Sequence, residues 1–96
     1  MTFEIAPKST EIKANWYDAK LYCFSLNIDG KTGWRLPTKE ELNEIYQSEN
    51  DFVKRLYWSI TEDSTGFAWE LYFLNGVQRC ANKDFLYSYV RAIRDN

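Results

Sequence analysis

The stretch GWRLPTKEEL, Gly33 to Leu42, predicts a strand that turns directly into a helix. Trp34 and Leu36 are two residues apart, so in an extended segment they share one face while Arg35 points to the other. Pro37 keeps Leu36 extended and cannot donate a hydrogen bond to a neighbouring strand. We expect Arg35 to bind backbone carbonyls or a carboxylate and so to lock this corner. The alternative is that Arg35 binds a ligand.

The helix after the corner begins at Thr38. Thr38 and Glu41 have the spacing of a capping box, in which each side chain bonds the backbone N–H of the other residue. Glu40 adds a negative charge at the positive end of the helix. The apolar stripe of this helix consists of Leu42, Ile45 and Tyr46.

A first strand and a first helix precede the corner. Residues Thr2–Ala6 alternate in character and predict a strand that Pro7 ends. Asn15 is a favourable N-cap, Asp18 suits the first turn, and Gly30 is the expected end of the helix. The apolar face of this helix consists of Trp16, Ala19, Cys23 and Leu26.

The second half of the chain predicts an antiparallel sheet. A strand is expected at Leu56–Ile60, followed by a polar turn in the run EDSTG, which ends at Gly66. The segment FAWELYFLNGVQRC predicts a hairpin around Asn75-Gly76. One face of its first strand carries Phe67, Trp69, Leu71 and Phe73, and the other carries Ala68, Glu70, Tyr72 and Leu74.

Residues Tyr89–Arg94 form the last predicted strand. Val90 and Ile93 are three residues apart, so a bulge or burial on both faces is needed if both are buried. Two early helices and a late antiparallel sheet give an α+β fold, which we expect to be a single domain over residues 1–96.

Composition excludes several classes of protein. Aromatic residues make up 18% of the 96 residues, which excludes a disordered chain. The formal net charge of −2, with basic residues scattered singly, argues against a nucleic-acid binder. No apolar run approaches the ~20 residues that span a bilayer. The N-terminus has no signal-peptide pattern, so we expect a cytoplasmic protein.

The cysteine and histidine counts limit the chemistry. Cys23 and Cys80 are expected to be reduced and buried, with a single bridge in an oxidising compartment as the alternative. The chain has no histidine, which removes the usual general base and the usual metal ligand.

These blocks of sequence, in this order, resemble the Lcl C-terminal domain family of bacteria and phages. The blocks are W–DA–YC, GWRLPTKEEL, YWSIT, FAWELYFLNG and VRAIR, and the resemblance extends from about Trp16 to Arg94. It implies a C-type-lectin-like fold, in which the N- and C-terminal strands pair and two helices pack on a twisted antiparallel sheet. More distantly, that fold is shared with formylglycine-generating enzymes and phage receptor-binding proteins.

One departure from the family pattern bears on the compartment. Relatives often carry a cysteine in the final Val-Arg block, placed to bridge the helix cysteine. This chain has Ala92 there and keeps Cys23. The resemblance therefore implies a reduced, intracellular protein, and the short chain suits a phage or a mobile element.

Catalytic, cofactor and metal sites are not expected. The Glu-Pro-Asn, Gln-Pro-Asp and Trp-Asn-Asp triplets that bind calcium in C-type lectins are missing. Glu62 and Asp63 are adjacent acids in a turn, where solvation is the more common role. Cys23 sits on an apolar stripe, and the position of Cys80 after Arg79 is only a slight sign of an activated thiol.

We expect a non-enzymatic binding module that contacts a protein target in the bacterial cell through its loop face. The candidate contact residues are Glu62, Asp63, Lys83, Asp84, Phe85, Tyr87 and Tyr89, while Trp34, Arg35, Pro37, Thr38 and Glu41 form the structural corner. One alternative is an adhesin or tail-fibre domain that binds a surface glycan. A metal-dependent lectin, a formylglycine-generating type of enzyme and a homodimer formed at an edge strand are further alternatives.

Overall fold

The computed structural model describes residues 1–96 and contains two α-helices, α1 (Trp16–Ser25) and α2 (Lys39–Tyr46), and one turn of 3-10 helix at Lys8–Thr10. α1 begins where the sequence predicts, because Oδ1 of Asn15 accepts the N–H of Asp18 at 2.8 Å. The predicted inner faces of both helices are largely buried; the buried residues are Trp16, Ala19 and Cys23 in α1 and Leu42 and Ile45 in α2.

The predicted end of α1 at Gly30 is wrong. The helix stops at Ser25, and Leu26 is already extended, with φ −67° and ψ 134°. Beyond it, Oδ1 of Asn27 accepts the N–H of Gly30 at 2.9 Å. A local side-chain bond of this kind stabilises a turn in place of another helical turn.

Eight strands form two sheets. The three-stranded sheet has the order β1-β8-β3, and the five-stranded sheet has the order β2-β7-β4-β5-β6. The strands are β1 (Phe3–Ile5), β2 (Ile12–Lys13), β3 (Trp34–Arg35), β4 (Leu56–Ser64), β5 (Phe67–Tyr72), β6 (Gln78–Asn82), β7 (Tyr89–Val90) and β8 (Ile93–Asp95). The α+β class is therefore correct. The expectation of one purely antiparallel sheet is wrong, because β4 and β7 are parallel.

The predicted last strand is two strands in different sheets. β7 pairs with β2 and β4, while β8 pairs antiparallel with β1 and with β3. Val90 and Ile93 are both completely buried, each in a different core. The break at Arg91–Ala92 thus resolves the three-residue spacing that a regular strand could not accommodate.

The strand before the hairpin is longer than predicted. β4 continues to Ser64, and its register with β5 shifts between Trp58 and Glu62. The expected turn is consequently reduced to Thr65–Gly66. The irregular register lets the strand continue through polar residues that would otherwise favour a loop.

Two hydrophobic cores lie on opposite faces of the five-stranded sheet. Tyr57 and Trp58 are successive residues of β4, so their side chains point to opposite faces. Trp58 packs with the buried residues of α1, and Tyr57 packs with those of α2. Each helix therefore covers one face of the sheet.

The two cysteines belong to opposite faces of the same sheet. Cys23 is completely buried in the core under α1. Cys80 lies on β6 opposite Trp69, whose ring contacts Lys39 of α2, and Cys80 is only partly buried. Both thiols are free and the sheet separates them, so they do not bridge each other. The prediction that Cys80 is buried is wrong.

The hairpin between β5 and β6 requires glycine at Gly76. Gly76 has a φ of +79°, and its N–H donates to the carbonyl of Tyr72 at 2.7 Å. A Cβ at this position would lie 2.5 Å from Cε2 of Tyr46 in α2. The loop therefore depends on glycine both for its backbone conformation and for its contact with the helix.

Replacing Gly76 by alanine should lower the free energy of unfolding by about 2–3 kcal/mol, from left-handed backbone strain and displacement of the Tyr46 ring. Gly30→Ala is the matched control, since Gly30 has φ +83° but nothing within 4 Å of its would-be Cβ. It should cost only about 1 kcal/mol. Urea unfolding of both variants measures the difference, and equal losses would rule out the Tyr46 clash.

Candidate binding site

Arg35 ties the corner between β3 and α2 to Glu41. Its Nη1 and Nη2 donate to Oε1 and Oε2 of Glu41, both at 2.8 Å, and Nη1 also donates to the carbonyl of Leu36 at 3.2 Å. Glu41 accepts the N–H of Thr38 at 2.7 Å, which completes the capping box. The hydrogen bonds from Arg35, and to a smaller extent the one from Thr38, hold the pKa of Glu41 below its usual range. Arg35 thus makes the carboxylate and carbonyl contacts expected of a corner residue.

Trp34 and Pro37 close the buried side of the same corner. Trp34 is 3% exposed, and its Nε1 donates to the carbonyl of Lys31 at 2.9 Å. The carbonyl of Pro37 accepts the N–H of Ile60 from β4 at 2.7 Å. These contacts connect the corner to the segment before β3 and to β4.

Lys83 was predicted to contact a partner, but the structure shows it buried in a structural role. Lys83 is 3% exposed. Its Nζ donates to Oε2 of Glu62 at 2.6 Å and to the carbonyl of Thr65 at 2.8 Å, and lies 4.2 Å from the centroid of the Trp16 ring. Glu62 is exposed but already bears this ion pair. Together they connect the β4–β5 turn to the segment after β6.

Asp63 and Asp84 are exposed but do not line the cavity that the aromatic residues of the late loop form. Asp63 faces Cys80 on the α2 side of the sheet. The pKa of the Cys80 thiol is raised mainly by desolvation and also by the negative charge of Asp63. The N–H of Asp84 donates to Oδ1 of Asn82 at 2.8 Å, which forms a tight turn. Neither aspartate lines the cavity described next.

Phe85, Tyr87 and Tyr89 come together along one open cavity of about 500 Å³, which we call the aromatic groove. Tyr72 from β5 completes its set of rings. The rings of Phe85 and Tyr87 meet edge to face at 5.6 Å, and the Tyr89 ring lies 5.4 Å from that of Tyr57. Tyr87 is 70% exposed and stands furthest into solvent.

Three cationic side chains line the aromatic groove: Lys13, Arg55 and Arg79. No acidic residue lines it. Nε of Arg79 donates to Oε1 of Glu70 at 2.9 Å, while more than half of the arginine side chain stays exposed. Glu70 is completely buried beneath the groove and also accepts a hydrogen bond from Ser88. Lys13 and Arg55 form no ion pair within the chain.

Sequence reasoning identified the aromatic side of the groove and missed its charged side. Lys13 belongs to β2, Arg55 precedes β4 and Arg79 belongs to β6. Strand pairing brings them together, because β2 is joined through β7 to β4 and β4 is joined through β5 to β6. No local pattern in the sequence signals this cluster.

The other possible functional features are metal ligands, the Cys23 thiol and the helices. No three Cys, Asp or Glu side chains lie close enough together to hold a metal ion. Burial raises the pKa of the Cys23 thiol to about 12. Neither helix is long and apolar enough to cross a bilayer.

Comparison with known proteins agrees with the blocks of sequence noted above. The family model described as the Lcl C-terminal domain matches residues 4–94 of the 96 residues. No curated protein matches this sequence. Since the matched residues include both helices and nearly every strand, the chain belongs to the Lcl C-terminal domain family.

Proposed function

We propose that this chain is a non-enzymatic binding module whose aromatic groove takes up an acidic segment of a protein partner. The observation that carries the proposal is the lining of the groove. Lys13 and Arg55, which form no ion pair, lie beside four aromatic rings together with Arg79, which is paired with the buried Glu70. No acidic residue lines the groove, although the formal net charge of the chain is −2. A concentration of positive charge against the overall charge favours an anionic partner.

The aromatic residues would supply most of the binding energy. Tyrosine is enriched among the residues that dominate protein interfaces, because its ring buries a large area with few rotatable bonds. Tyr87 is largely exposed and supported by Phe85, so its ring is available with little rearrangement. Arg55 and Lys13 would then pair with carboxylates of the bound segment.

The state of the thiols supports a binding role over a catalytic one. A nucleophilic cysteine needs a lowered pKa, since the thiolate is the reactive form. Burial raises the pKa of Cys23 to about 12, and desolvation and Asp63 raise that of Cys80. Both thiols therefore stay protonated near neutral pH.

The proposal includes a C-type-lectin-like fold and a location in the bacterial cytoplasm. The antiparallel pairing of β1 with β8, from Phe3 opposite Asp95 to Ile5 opposite Ile93, supports the first point. Two free cysteines on opposite faces of a sheet suit a reducing compartment and support the second. An origin in a phage or a mobile element stays a prediction.

A fluorescein-labelled, glutamate-rich peptide is the probe for the groove. We expect it to bind the wild-type chain, and to bind the Tyr87→Ala and Arg55→Glu variants about 10- to 30-fold more weakly. Binding should also weaken as salt is raised, because exposed charge pairs are screened. Fluorescence anisotropy titrations give the dissociation constants.

Two neighbouring residues provide matched controls. Leu86→Ala changes a residue of the same loop that is 55% exposed but does not line the groove, and Lys54→Glu reverses the charge next to Arg55. Both should bind the peptide nearly as the wild type does. Oligosaccharide binding that Tyr87→Ala abolishes, with no peptide binding, would favour the glycan-binding alternative and reject a protein partner.

A further inference from the structure

β6 (Gln78–Asn82) is the free edge of the five-stranded sheet, since only β5 lies beside it. The bond from Tyr72 N–H to Val77 O, at 2.8 Å, fixes which residues of the pair are hydrogen-bonded. By the alternation of an antiparallel ladder, Arg79 and Ala81 then bond to β5. The backbone groups of Gln78, Cys80 and Asn82 therefore point away from the sheet.

This edge has few of the devices that usually prevent pairing with another strand, and its one charged side chain, Arg79, is paired with Glu70 of the adjoining strand. Its five register pairs with β5 contain no bulge, and the strand contains neither proline nor lysine. Among the outward backbone groups only the carbonyl of Asn82 has a partner, the N–H of Phe85 at 2.9 Å. Gln78 and Cys80 each present a free N–H and a free carbonyl to an incoming strand.

We propose that two copies of this chain pair antiparallel through β6, about a two-fold axis at Cys80. Identical antiparallel strands are self-complementary, so one interface closes the assembly. In this register each strand overlaps its partner along its full length. Gln78 lies opposite Asn82 of the second copy, Arg79 lies opposite Ala81, and the two Cys80 residues lie opposite each other.

Charge disfavours the neighbouring register that is centred on Arg79. Centring the pair on Arg79 shortens the overlap and places two arginines directly opposite each other, which is unfavourable. Around Cys80, in contrast, each copy supplies Lys39 and Asp63, so opposite charges are available on both sides of the axis.

The axis is perpendicular to the sheet, so both copies present the same face on the same side. Arg79 belongs both to the edge strand and to the lining of the aromatic groove. The two grooves therefore open on one side of the dimer. If the groove binds a partner as proposed above, the dimer offers two sites to a repeated or dimeric target. The pairing itself does not depend on that function.

Cys80 allows the pairing to be trapped. Directly opposed residues of a hydrogen-bonded pair have Cα atoms about 5.5 Å apart, within the range that a disulfide spans. Copper(II)-phenanthroline with dissolved oxygen takes two electrons from two Cys80 thiols, two protons are released, and one S–S bond forms. We expect a covalent dimer from the wild type and from Cys23→Ser, and none from Cys80→Ser.

Gln78 provides the decisive pair of variants. Gln78→Pro removes the outward N–H while keeping Cys80, whereas Gln78→Ala keeps that N–H; both lose the side-chain bond to the carbonyl of Lys39. In sedimentation equilibrium, we expect Gln78→Pro to raise the dimer dissociation constant at least about tenfold over Gln78→Ala. Thermal unfolding of both variants checks that the fold is intact.

Two results would overturn the proposal. One is a wild-type chain that stays monomeric at every concentration and cross-links no faster than Gln78→Pro. The other is a dimer equally stable in Gln78→Pro and Gln78→Ala, because the interface would then lie elsewhere, for instance at the exposed Leu21 and Phe24 of α1.

Discussion

Replacing Arg91 by leucine is expected to lower the free energy of unfolding by about 3–5 kcal/mol, because the buried carboxylate of Glu11 loses its hydrogen-bonded counter-charge and keeps only the half-exposed Lys8, at 3.9 Å. Only 4% of the Arg91 side chain is exposed, and 8% of its partner Glu11. Its Nε donates to the carbonyl of Ala6 at 2.6 Å, Nη1 donates to Glu11 at 2.8 Å, and Nη2 donates to Asp51 at 2.7 Å. One side chain thus connects the N-terminal segment, the loop after α2 and the break between β7 and β8.

Arg94 is the matched control for Arg91, since both belong to the VRAIR block. Arg94 pairs with Glu4 at 3.2 Å, and a third of each side chain is exposed. Arg94→Leu should therefore cost no more than about 1 kcal/mol. Urea unfolding followed by tryptophan fluorescence measures both changes.

A second variant isolates the cause of the Arg91 effect. If the buried charge of Glu11 is responsible, Glu11→Gln in the Arg91→Leu background should recover part of the lost stability. Equal losses from Arg91→Leu and Arg94→Leu would contradict the importance of burial. If stability is not recovered, the loss would instead come from the missing hydrogen bonds to the Ala6 carbonyl and to Asp51.

Replacing Trp58 by alanine is expected to cost about 3–5 kcal/mol as well, through the cavity left in the core under α1. Trp58 is completely buried, and its Nε1 donates to the carbonyl of Ala14 at 2.9 Å. The substitution removes both the ring and the partner of that carbonyl. The midpoint of urea unfolding should fall markedly.

Trp69→Ala is the comparison for Trp58→Ala. Trp69 lies on the neighbouring strand but faces α2, where Lys39 covers its half-buried ring at 4.0 Å. We expect a cost of only about 1–2 kcal/mol, because part of the ring stays in contact with water. Losses of similar size from the two tryptophans would show that the core under α1 relaxes to fill the space.

Much of the fold follows from interactions that are close in sequence. Asn15 caps α1 through a residue three positions later, and Thr38 and Glu41 form the capping box that starts α2. Arg35 bonds Glu41 six residues away. Such contacts close short loops at low entropic cost, so the residue types and their spacing are enough to predict them.

Local patterns were less informative where the same residues could form an alternative turn or pair with a different strand. Glycine is a common residue at the end of a helix, so Gly30 was a reasonable prediction, yet the Asn27 side chain stabilises a turn that ends the helix earlier. Val90 and Ile93 showed that a regular strand was impossible, without showing that its halves join different sheets. The physical conflict was visible in the sequence, but its resolution depended on which strands were available to pair.

The sequence by itself therefore determined the α+β class, the family and the helix starts, and it selected the aromatic residues of the late loop. Only the tertiary structure decided that Lys83 is buried, that Arg91 connects distant segments and that Lys13, Arg55 and Arg79 meet those aromatic residues. The physical reason is that burial and charge clustering are set by strand order. Strand order joins residues far apart in the chain, and nothing in their immediate neighbours records it.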